Sequence, residues 1–260
     1  MLTCMTCCCL RSSDTMNIAL IGFGKVSYNL LKIINSPDIH FITSTENRSD
    51  KTIKLIMKSN IQTYDSFKEA IEKSDIVISA VTPANALNVA YKYGQYCKGI
   101  YLDLNNISPD TAFQINELTE NFIDGSIIGK IDSASPTLFL SGKDAEKLLF
   151  LNDYLNVKII SDTAGDASKL KLLRSTYTKS LSVLLIETYN LAQKLNMDDE
   201  FFKVLALTEG EEFKEKSLSR IKNTLISSKR KAEELEEILN YFDDGELKMV
   251  KSALDKLKQF

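Results

Sequence analysis

The chain has 260 residues and a formal net charge of -3, which is mild for its length. This length allows one large domain or two modest ones with a substantial core. The charge provides no basic footprint for nucleic acid, and no apolar run approaches the roughly 20 residues of a membrane-spanning helix. Because His40 is the only histidine, a catalytic histidine or a histidine-based metal site is nearly excluded.

Four of the five cysteines crowd the first nine residues, at Cys4, Cys7, Cys8 and Cys9. They lack the two separated ligand pairs of a structural zinc site, and no long apolar segment of a signal peptide precedes Arg11. We therefore expect residues 1–15 to be a disordered tail, or upstream sequence included by a wrong choice of start codon ahead of Met16. The remaining Cys97 fits a reducing cytoplasm.

The first motif is a glycine turn between an apolar strand and a helix with apolar periodicity. Residues 17–27 read Asn-Ile-Ala-Leu-Ile-Gly-Phe-Gly-Lys-Val-Ser, a G-x-G-x-x-S pattern that Ser27 completes. Gly22 permits the tight bend, and Gly24 lets the backbone approach a pyrophosphate at the helix N-terminus. The turn therefore predicts a dinucleotide-binding site. Its expected contacts are Gly22, Phe23, Gly24, Lys25 and Val26.

Residues 17 to about 160 alternate short apolar strands with helical patterns. Such alternation predicts a parallel sheet covered by helices on both faces, which is an α/β, doubly wound, Rossmann-type domain. The expected strands are Ile18–Ile21, His40–Thr43, Ile76–Ala80, Ile100–Leu104, Phe122–Ile127, Leu138–Ser141 and Lys158–Ile160. The expected helices are Val26–Ile34, Thr52–Lys58, Ser66–Glu72, Ala84–Tyr93, Pro109–Leu118 and Asp144–Leu155.

From about Ala167 onward the strand patterns stop, and helical patterns rich in Leu, Lys and Glu continue, with Gly210 and Gly245 as expected breaks. Residues 171–194 read as one long helix, whose apolar run at 181–186 indicates burial against neighbouring helices or a second subunit.

These patterns divide the chain into three expected parts. They are the tail at 1–15, a dinucleotide-binding domain at 16–163, and an all-helical domain for substrate binding and dimerisation at 164–260. The helical part looks too thin to close a core of its own, so we expect a homodimer through its helices.

The end of the second predicted strand is where NAD and NADP enzymes differ. NAD enzymes usually place an acidic residue there to bind the ribose 2′-hydroxyl, whereas NADP enzymes use hydroxyls and an arginine to bind the 2′-phosphate. Here residues 43–49 read Thr-Ser-Thr-Glu-Asn-Arg-Ser. Glu46 would favour NAD if it points inward, but the hydroxyls and the guanidinium favour NADP. The expected phosphate ligands are Ser44, Thr45, Arg48 and Ser49.

A further cofactor contact is expected at residues 79–83, which read Ser-Ala-Val-Thr-Pro after a central strand. Small residues at this place let the riboses of a dinucleotide lie over the strand ends, although ordinary strand-to-helix turn chemistry accounts for Thr82-Pro83 equally well. The expected contacts are Ala80, Val81, Thr82 and Pro83.

Five segments, at residues 21–24, 79–83, 103–109, 124–129 and 165–171, carry a resemblance to a known family. They read Ile-Gly-Phe-Gly, Ser-Ala-Val-Thr-Pro, Asp-Leu-Asn-Asn-Ile-Ser-Pro, Asp-Gly-Ser-Ile-Ile-Gly and Gly-Asp-Ala-Ser-Lys-Leu-Lys. Through them, residues 16 to about 260 resemble the β-hydroxyacid dehydrogenase and 6-phosphogluconate dehydrogenase superfamily. The resemblance is closest to a branch of uncharacterised dinucleotide-binding proteins known from methanogenic archaea and some bacteria.

The resemblance implies substrate contacts in two loops. Where relatives carry Ser-Thr, this chain has Asn105-Asn106, whose amides donate and accept, so the role can survive with altered selectivity. Where relatives have a Ser-Gly-Gly turn, this chain has Ile128-Gly129-Lys130, which puts the usual hydroxyacid substrates in doubt. Lys130 either supplies charge for an anion or is an ordinary exposed loop lysine.

The resemblance also implies a catalytic lysine, with G-x-G-x-x-x-K spacing at the start of the long helix. Gly165 and Lys171 match this spacing, while Ala167 replaces the second glycine. We expect Lys171 to shuttle a proton to or from the substrate oxygen, which requires a pKa well below about 10.4. Arg174 shares its helix face and is expected to lower that pKa and bind a substrate carboxylate or phosphate. Ser175 stands where relatives carry an asparagine that touches substrate.

The leading interpretation is a soluble NADP-dependent oxidoreductase that acts on a hydroxyl, carbonyl or imine next to an acidic group. The alternative is a dinucleotide-binding sensor without turnover, which the departures at Asn105-Asn106, Ile128-Gly129 and Ser175 leave open. Lys171 favours the enzyme, because a sensor needs no proton shuttle. No metal, nucleic-acid or membrane partner is expected.

Overall fold

The computed structural model describes residues 15–133, 136–242 and 245–260. Within these ranges the chain forms two compact units, which are divided in the sequence after Lys169. The predicted tail, apart from Thr15, and its cysteine cluster lie outside the described residues. The predicted domain limit at residues 163 and 164 stays a prediction.

The first unit contains an eight-stranded sheet. Its strands are β1 Met16–Ile21, β2 Ile39–Ser44, β3 Gln62–Tyr64, β4 Ile76–Ser79, β5 Ile100–Asp103, β6 Phe122–Ile128, β7 Thr137–Ser141 and β8 Asn156–Ser161. Its α-helices are α1 Lys25–Ile33, α2 Asp50–Lys58, α3 Phe67–Glu72, α4 Pro83–Tyr93 and α5 Pro109–Leu118.

The strands follow the order β3-β2-β1-β4-β5-β6-β7-β8, so the chain reverses its direction across the sheet between β1 and β4. This is the doubly wound arrangement, in which ligands bind outside the carboxyl ends of the strands at the reversal. The predicted α/β fold with a helical C-terminal region is confirmed.

Three local features differ from the expectations. The sheet is not fully parallel, because β6 and β7 pair antiparallel, so that β7 and β8 run opposite to the other strands. The short strand β3 was not predicted, since its residues are mostly exposed and show no apolar alternation. Residues 145–153, expected in an α-helix, form 3-10 turns instead.

Two apolar clusters cover the two faces of the sheet. Ile18 and Leu20 of β1 belong to one cluster, whereas Ala19 and Ile21 belong to the other, and none of the four is more than 1% exposed. Burial of successive residues on both faces is typical of a central strand in a doubly wound sheet. The end of β1 therefore lies at a fixed position next to the glycine turn.

The helix α6, Asp166–Lys194, begins in the first unit and continues into the second. The second unit also contains α7 Asp198–Glu209, α8 Phe213–Ile226, α9 Ser228–Phe242 and α10 Lys248–Leu257. Gly210 follows α7 with a φ of 90°, and Gly245 precedes α10 with a φ of 93°, as expected of helix breaks.

The second unit does close an apolar core, contrary to expectation. Val183 of α6 packs with Leu235 and Ile238 of α9 and with Leu254 and Leu257 of α10, and all five are buried. The pattern was misjudged because α9 is heavily charged on its outer face, which hides its narrow apolar stripe. Among the described residues, no helix is both long and apolar enough to cross a bilayer.

Candidate functional site

The glycine turn after β1 has the geometry that a dinucleotide needs. Gly22 has a φ of +92°, and a Cβ on it would lie 2.4 Å from the carbonyl oxygen of Ala80, so a side chain is excluded. Gly24 precedes α1 in an extended conformation, and nothing lies within 4 Å of the place where its Cβ would be. The backbone at the start of α1 is therefore open to a ligand, and its free N–H groups suit a phosphate.

The other residues of the turn differ in whether their side chains are buried or exposed. Ser27 is fully buried, and its Oγ donates to the carbonyl oxygen of Gly22 at 2.7 Å, so the serine in the third glycine position ties the turn to the helix. The Phe23 side chain is 5% exposed within the apolar core, which leaves only its backbone for a cofactor. Val26 packs against the same core, whereas Lys25 is exposed and pairs with Asp132 at 2.9 Å.

The carboxylate of Glu46, after β2, is bound to neighbouring helices. It accepts hydrogen bonds from the Phe67 amide at 3.0 Å, the Tyr93 hydroxyl at 3.3 Å and the Lys92 ammonium at 3.4 Å. The Phe67 amide contributes most to lowering the pKa of this carboxyl below its ordinary value. Phe67 is the first residue of α3, so Glu46 stabilises the start of that helix rather than standing free for a ribose hydroxyl.

Arg48 lies beside Glu46 in a defined conformation. Its guanidinium stacks on the ring of Phe67 at 5.0 Å, and its Nε donates to the carbonyl oxygen of Glu46 at 3.1 Å. The ring stacking and the single hydrogen bond to a backbone carbonyl leave the two terminal guanidinium nitrogens available to bind an anion such as a phosphate. Thr45, also partly exposed, follows β2 directly.

The two serines of the predicted phosphate cradle shape the loop. Ser44 is fully buried, and its Oγ accepts from the amide of Glu46 at 3.0 Å. Ser49 is exposed at the N-cap of α2, where its Oγ accepts from the Thr52 amide at 3.4 Å. Of the four predicted ligands, Ser44 and Ser49 thus accept hydrogen bonds from backbone amides of the loop, whereas Arg48 keeps its terminal nitrogens for a phosphate.

The turn after β4 lies against the glycine turn. The Ala80 amide donates to the carbonyl oxygen of Ile21 at 2.8 Å, and Ala80 and Val81 are partly exposed. Thr82 and Pro83 are exposed and start α4, with proline in the first turn as expected of a helix start. The structure thus brings together the two predicted cofactor segments of β1 and β4.

A row of buried polar residues, Ser79, Asp103, Asp124 and Ser141, crosses β4, β5, β6 and β7. These four residues are successive register partners, and each is 0% exposed. We call them the polar row. Ser79, Asp103 and Asp124 each begin a segment that carries the family resemblance, but nothing in the sequence indicated that they are neighbours across the sheet.

Asn105 closes one end of the polar row. Its amide N and Nδ2 donate to the Asp103 carboxylate at 2.8 and 2.7 Å, and Nδ2 also donates to Ser79 Oγ at 2.9 Å. The side chain is 3% exposed, and its Oδ1 is buried without a hydrogen-bond partner. Both donors of the Asn105 amide are thus used inside the protein, while the neighbouring Asn106 is exposed.

Burial gives Asp103 an unusual protonation equilibrium. The pKa of this carboxyl is raised to about 7: loss of hydration is the largest cause, the charge of Asp124 adds to the rise, and the hydrogen bonds from Asn105 oppose it. Burial likewise raises the pKa of the neighbouring Tyr101 hydroxyl. Asp103 therefore exchanges a proton close to neutral pH in the folded protein.

The predicted Ile128-Gly129 contact lies at the end of β6. Gly129 has a φ of +91°, is exposed, and has no atom within 4 Å of where a Cβ would lie. Ile128 is partly exposed and is the register partner of Thr137 on β7. The turn thus has open space, but it lacks the serine hydroxyl of the Ser-Gly-Gly pattern.

The predicted catalytic residue, Lys171, and two predicted substrate contacts, Arg174 and Ser175, lie on α6 within the second unit. Lys171 is partly exposed and Arg174 is exposed, three residues further along the same helix. Ser175 is partly exposed, and its Oγ accepts from the ammonium of Lys179, which also pairs with Glu234 at 2.9 Å. Lys171, Ser175 and Lys179 recur every four residues and therefore share one helix face.

The chain is similar to several known proteins. Residues 17–106 match the family described as NADP oxidoreductase coenzyme F420-dependent. An uncharacterized 28.5 kDa protein of Methanothermus fervidus, from the 7S RNA 5′ region, is 41% identical over 248 residues, covering 94% of this chain and 98% of the relative.

Solved structures give the same fold. The conserved protein MTH1747 of unknown function, described as structurally similar to 3-hydroxyacid dehydrogenases, is 34% identical with a TM-score of 0.84 and covers 94% of this chain and 96% of its own. A 3-hydroxyisobutyrate dehydrogenase of Mycobacterium tuberculosis, with L-serine, is 13% identical with a TM-score of 0.77 and covers 95% and 94%. At 13% identity the second structure supports the fold alone.

The raised pKa of Asp103 predicts a pH dependence of folding stability. The folded protein holds this proton up to about pH 7, whereas an unfolded aspartate releases it near about pH 3.9. The contribution of Asp103 to the free energy of unfolding therefore falls as the pH rises from about 4 to about 7 and is constant above. In Asp103→Asn this falling contribution should disappear. Urea unfolding across that pH range measures it, with exposed Asp153→Asn as the control, and identical pH profiles for wild type and Asp103→Asn contradict it.

Proposed function

The chain belongs to the family of the Methanothermus fervidus protein and MTH1747, a 3-hydroxyacid dehydrogenase-like branch, and we propose that it is an NADP-dependent oxidoreductase. The observation that carries the proposal is the glycine turn, where Gly22 and Gly24 leave the start of α1 open for a pyrophosphate. The proposed substrate is a small acidic molecule whose hydroxyl is oxidised, or whose carbonyl or imine is reduced.

The proposed chemistry assigns separate tasks to the cofactor and to the chain. When bound, the dinucleotide supplies or accepts the hydride. The amides at the start of α1 hold the pyrophosphate, and Lys171 holds the proton that leaves or joins the substrate oxygen or nitrogen. Arg174 is an exposed cation three residues beyond Lys171 on the same helix. In this proposal its charge favours the neutral form of the Lys171 amine and attracts an acidic substrate.

We propose NADP rather than NAD because of the loop after β2. Glu46 is the acidic residue that could bind a ribose 2′-hydroxyl, but its carboxylate is engaged by α3 and α4. Arg48 is stacked on Phe67 beside Thr45, which suits a 2′-phosphate. The engaged Glu46 and the oriented Arg48 both support the phosphorylated cofactor.

Arg48→Ala should weaken NADPH binding about tenfold or more, because a charge-assisted bond to the 2′-phosphate is lost, and should leave NADH binding unchanged. Fluorescence titration with each cofactor measures the two affinities. Lys58→Ala, an exposed cation at the other end of α2, is the matched control and should change neither. An unchanged ratio of NADPH to NADH affinity would refute the assignment.

Lys171→Met should reduce turnover about 10²-fold to 10⁴-fold while NADPH binding is retained, because only the proton transfer loses its group. The assay follows NADPH consumption or NADP reduction with short hydroxyacids, oxoacids, sugar phosphates and imines, and with coenzyme F420. Lys194→Met at the far end of α6 is the control.

Turnover by Lys171→Met near the wild-type rate excludes the lysine shuttle. A wild-type protein that binds NADPH tightly but turns over no substrate favours the alternative, a dinucleotide-binding sensor. The two results are distinguishable, because the first requires an active wild type and the second an inactive one.

We further propose a homodimer through the helices of the second unit. Leu170, Tyr177, Leu184 and Leu191 of α6 recur every seven residues and are 37%, 66%, 50% and 56% exposed. Seven-residue spacing places them in one stripe along the helix, which is the arrangement that packs against another helix. A second copy of the same helix is the occupant we propose.

Leu184→Glu should weaken the dimer about 100-fold, since the interface would bury an unpaired charge. Light scattering after size-exclusion chromatography over a range of concentrations measures the molar mass. Met57→Glu on α2, where the methionine is 62% exposed, is the control and should remain dimeric. A wild type that is monomeric throughout contradicts the proposal.

A further inference from the structure

The polar row ends on the first turn of α6. Ser141 Oγ accepts from the Ala167 amide at 2.9 Å. The Asp124 carboxylate accepts from the Ser168 amide at 2.8 Å and from Ser168 Oγ at 2.8 Å, and Ser141 Oγ lies 3.4 Å from the same carboxylate. Asp124, Ser141, Ala167 and Ser168 are all buried, so water does not compete for these bonds.

These bonds satisfy amides that a helix leaves unpaired. The first four N–H groups of a helix have no partner within it and are usually capped by the residue just before it. Here the amides of Ala167 and Ser168 are capped by strands β7 and β6, from residues 26 and 44 positions earlier in the chain. The start of α6 is thereby joined to the sheet through side chains.

The charge on Asp124 makes this joint stronger than an ordinary cap. Hydrogen bonds to an ionised carboxylate are roughly twice as strong as those between neutral groups, and a helix N-terminus favours a negative charge. The negative charge of Asp124 also helps to raise the pKa of the neighbouring Asp103. The pair thus has one member that binds the helix and one that takes up a proton near neutrality.

The helix held in this way is the one that carries the proposed catalytic lysine. Lys171 follows Ala167 by four residues and Ser168 by three, so it lies one turn beyond the capped amides on the same side of α6. A helix turn with two bonded amides has less freedom to fray or rotate than a turn with free amides. The direction in which the Lys171 side chain leaves the helix depends on that turn.

We propose that Asp124, assisted by Ser141, is a positioning residue that fixes the first turn of α6 and with it the orientation of Lys171. The proposal rests on the proposed role of Lys171 as the proton shuttle. Asp124 itself is buried, so it acts through the helix and not by touching a ligand.

The test compares Asp124→Asn with wild type in the full-length chain. Asparagine has the same shape but lacks the charge and one acceptor, so amide hydrogen exchange at residues 167–171 should become about tenfold faster. Turnover of NADPH should fall about tenfold or more in kcat, while KM and the NADPH dissociation constant stay within about twofold. Ser126→Ala on β6 is the control, because this buried hydroxyl has no hydrogen-bond partner to lose.

Ser141→Ala and Ser141→Thr form a second pair that does not alter the charge. The alanine variant should speed exchange at residues 167–171 in the same direction as Asp124→Asn, and the threonine variant, which keeps the hydroxyl, should restore slow exchange. This pair tests the attachment of the first turn of α6 even if Asp124→Asn fails to fold.

Unchanged exchange at residues 167–171 in both Asp124→Asn and Ser141→Ala overturns the proposal, and so does faster exchange with an unchanged kcat. A wild type that turns over no substrate instead refutes the proposed function, and with it the positioning role. The exchange measurement needs no substrate, so it separates a failure of the helix anchor from a failure of the enzyme assignment.

Discussion

Two carboxylates buried within an apolar sheet are the constraint on which the site depends. Asp103 and Asp124 are register partners on β5 and β6 with no exposed surface, and each would cost several kcal/mol if left without partners. Their shorter hydrogen bonds come from outside the sheet: the Asn105 loop donates to Asp103, and the first turn of α6 donates to Asp124. The hydrogen bonds that the two buried carboxyl groups require therefore hold both the Asn105 loop and the start of α6 in place.

The glycine turn depends on a constraint of the opposite kind, the absence of side chains. Gly22 lies so close to the backbone of Ala80 that nothing larger fits, and Gly24 leaves open space at the start of α1. What the turn presents is backbone, which binds the phosphates common to every dinucleotide. The proposed preference for NADP therefore depends on the loop after β2, where Glu46 is bound by α3 and α4 and Arg48 stacks on Phe67.

Local sequence patterns predicted the parts of the fold that depend on local burial, and missed those that depend on distant partners. The central strands were predictable because continuous apolar runs bounded by turn residues determine them. Strand direction was not, since β7 has the same pattern whether it runs parallel or antiparallel to β6. The orientation of Glu46 depends on Phe67 and Tyr93, which lie 21 and 47 positions away and leave no mark on the residues around it.

The same limit applies to the predicted substrate contacts. Asn105 and Asn106 are identical residues at adjacent positions, so no pattern separates them, yet one is buried against Asp103 and the other is exposed. Ser175, another departure from the pattern that the resemblance implies, accepts a hydrogen bond from Lys179. At both positions, Asn105 and Ser175, the side chain takes part in a hydrogen bond inside the protein. Their neighbours in the sequence, Asn106 in the first unit and Arg174 in the second, are exposed and carry side-chain N–H donors.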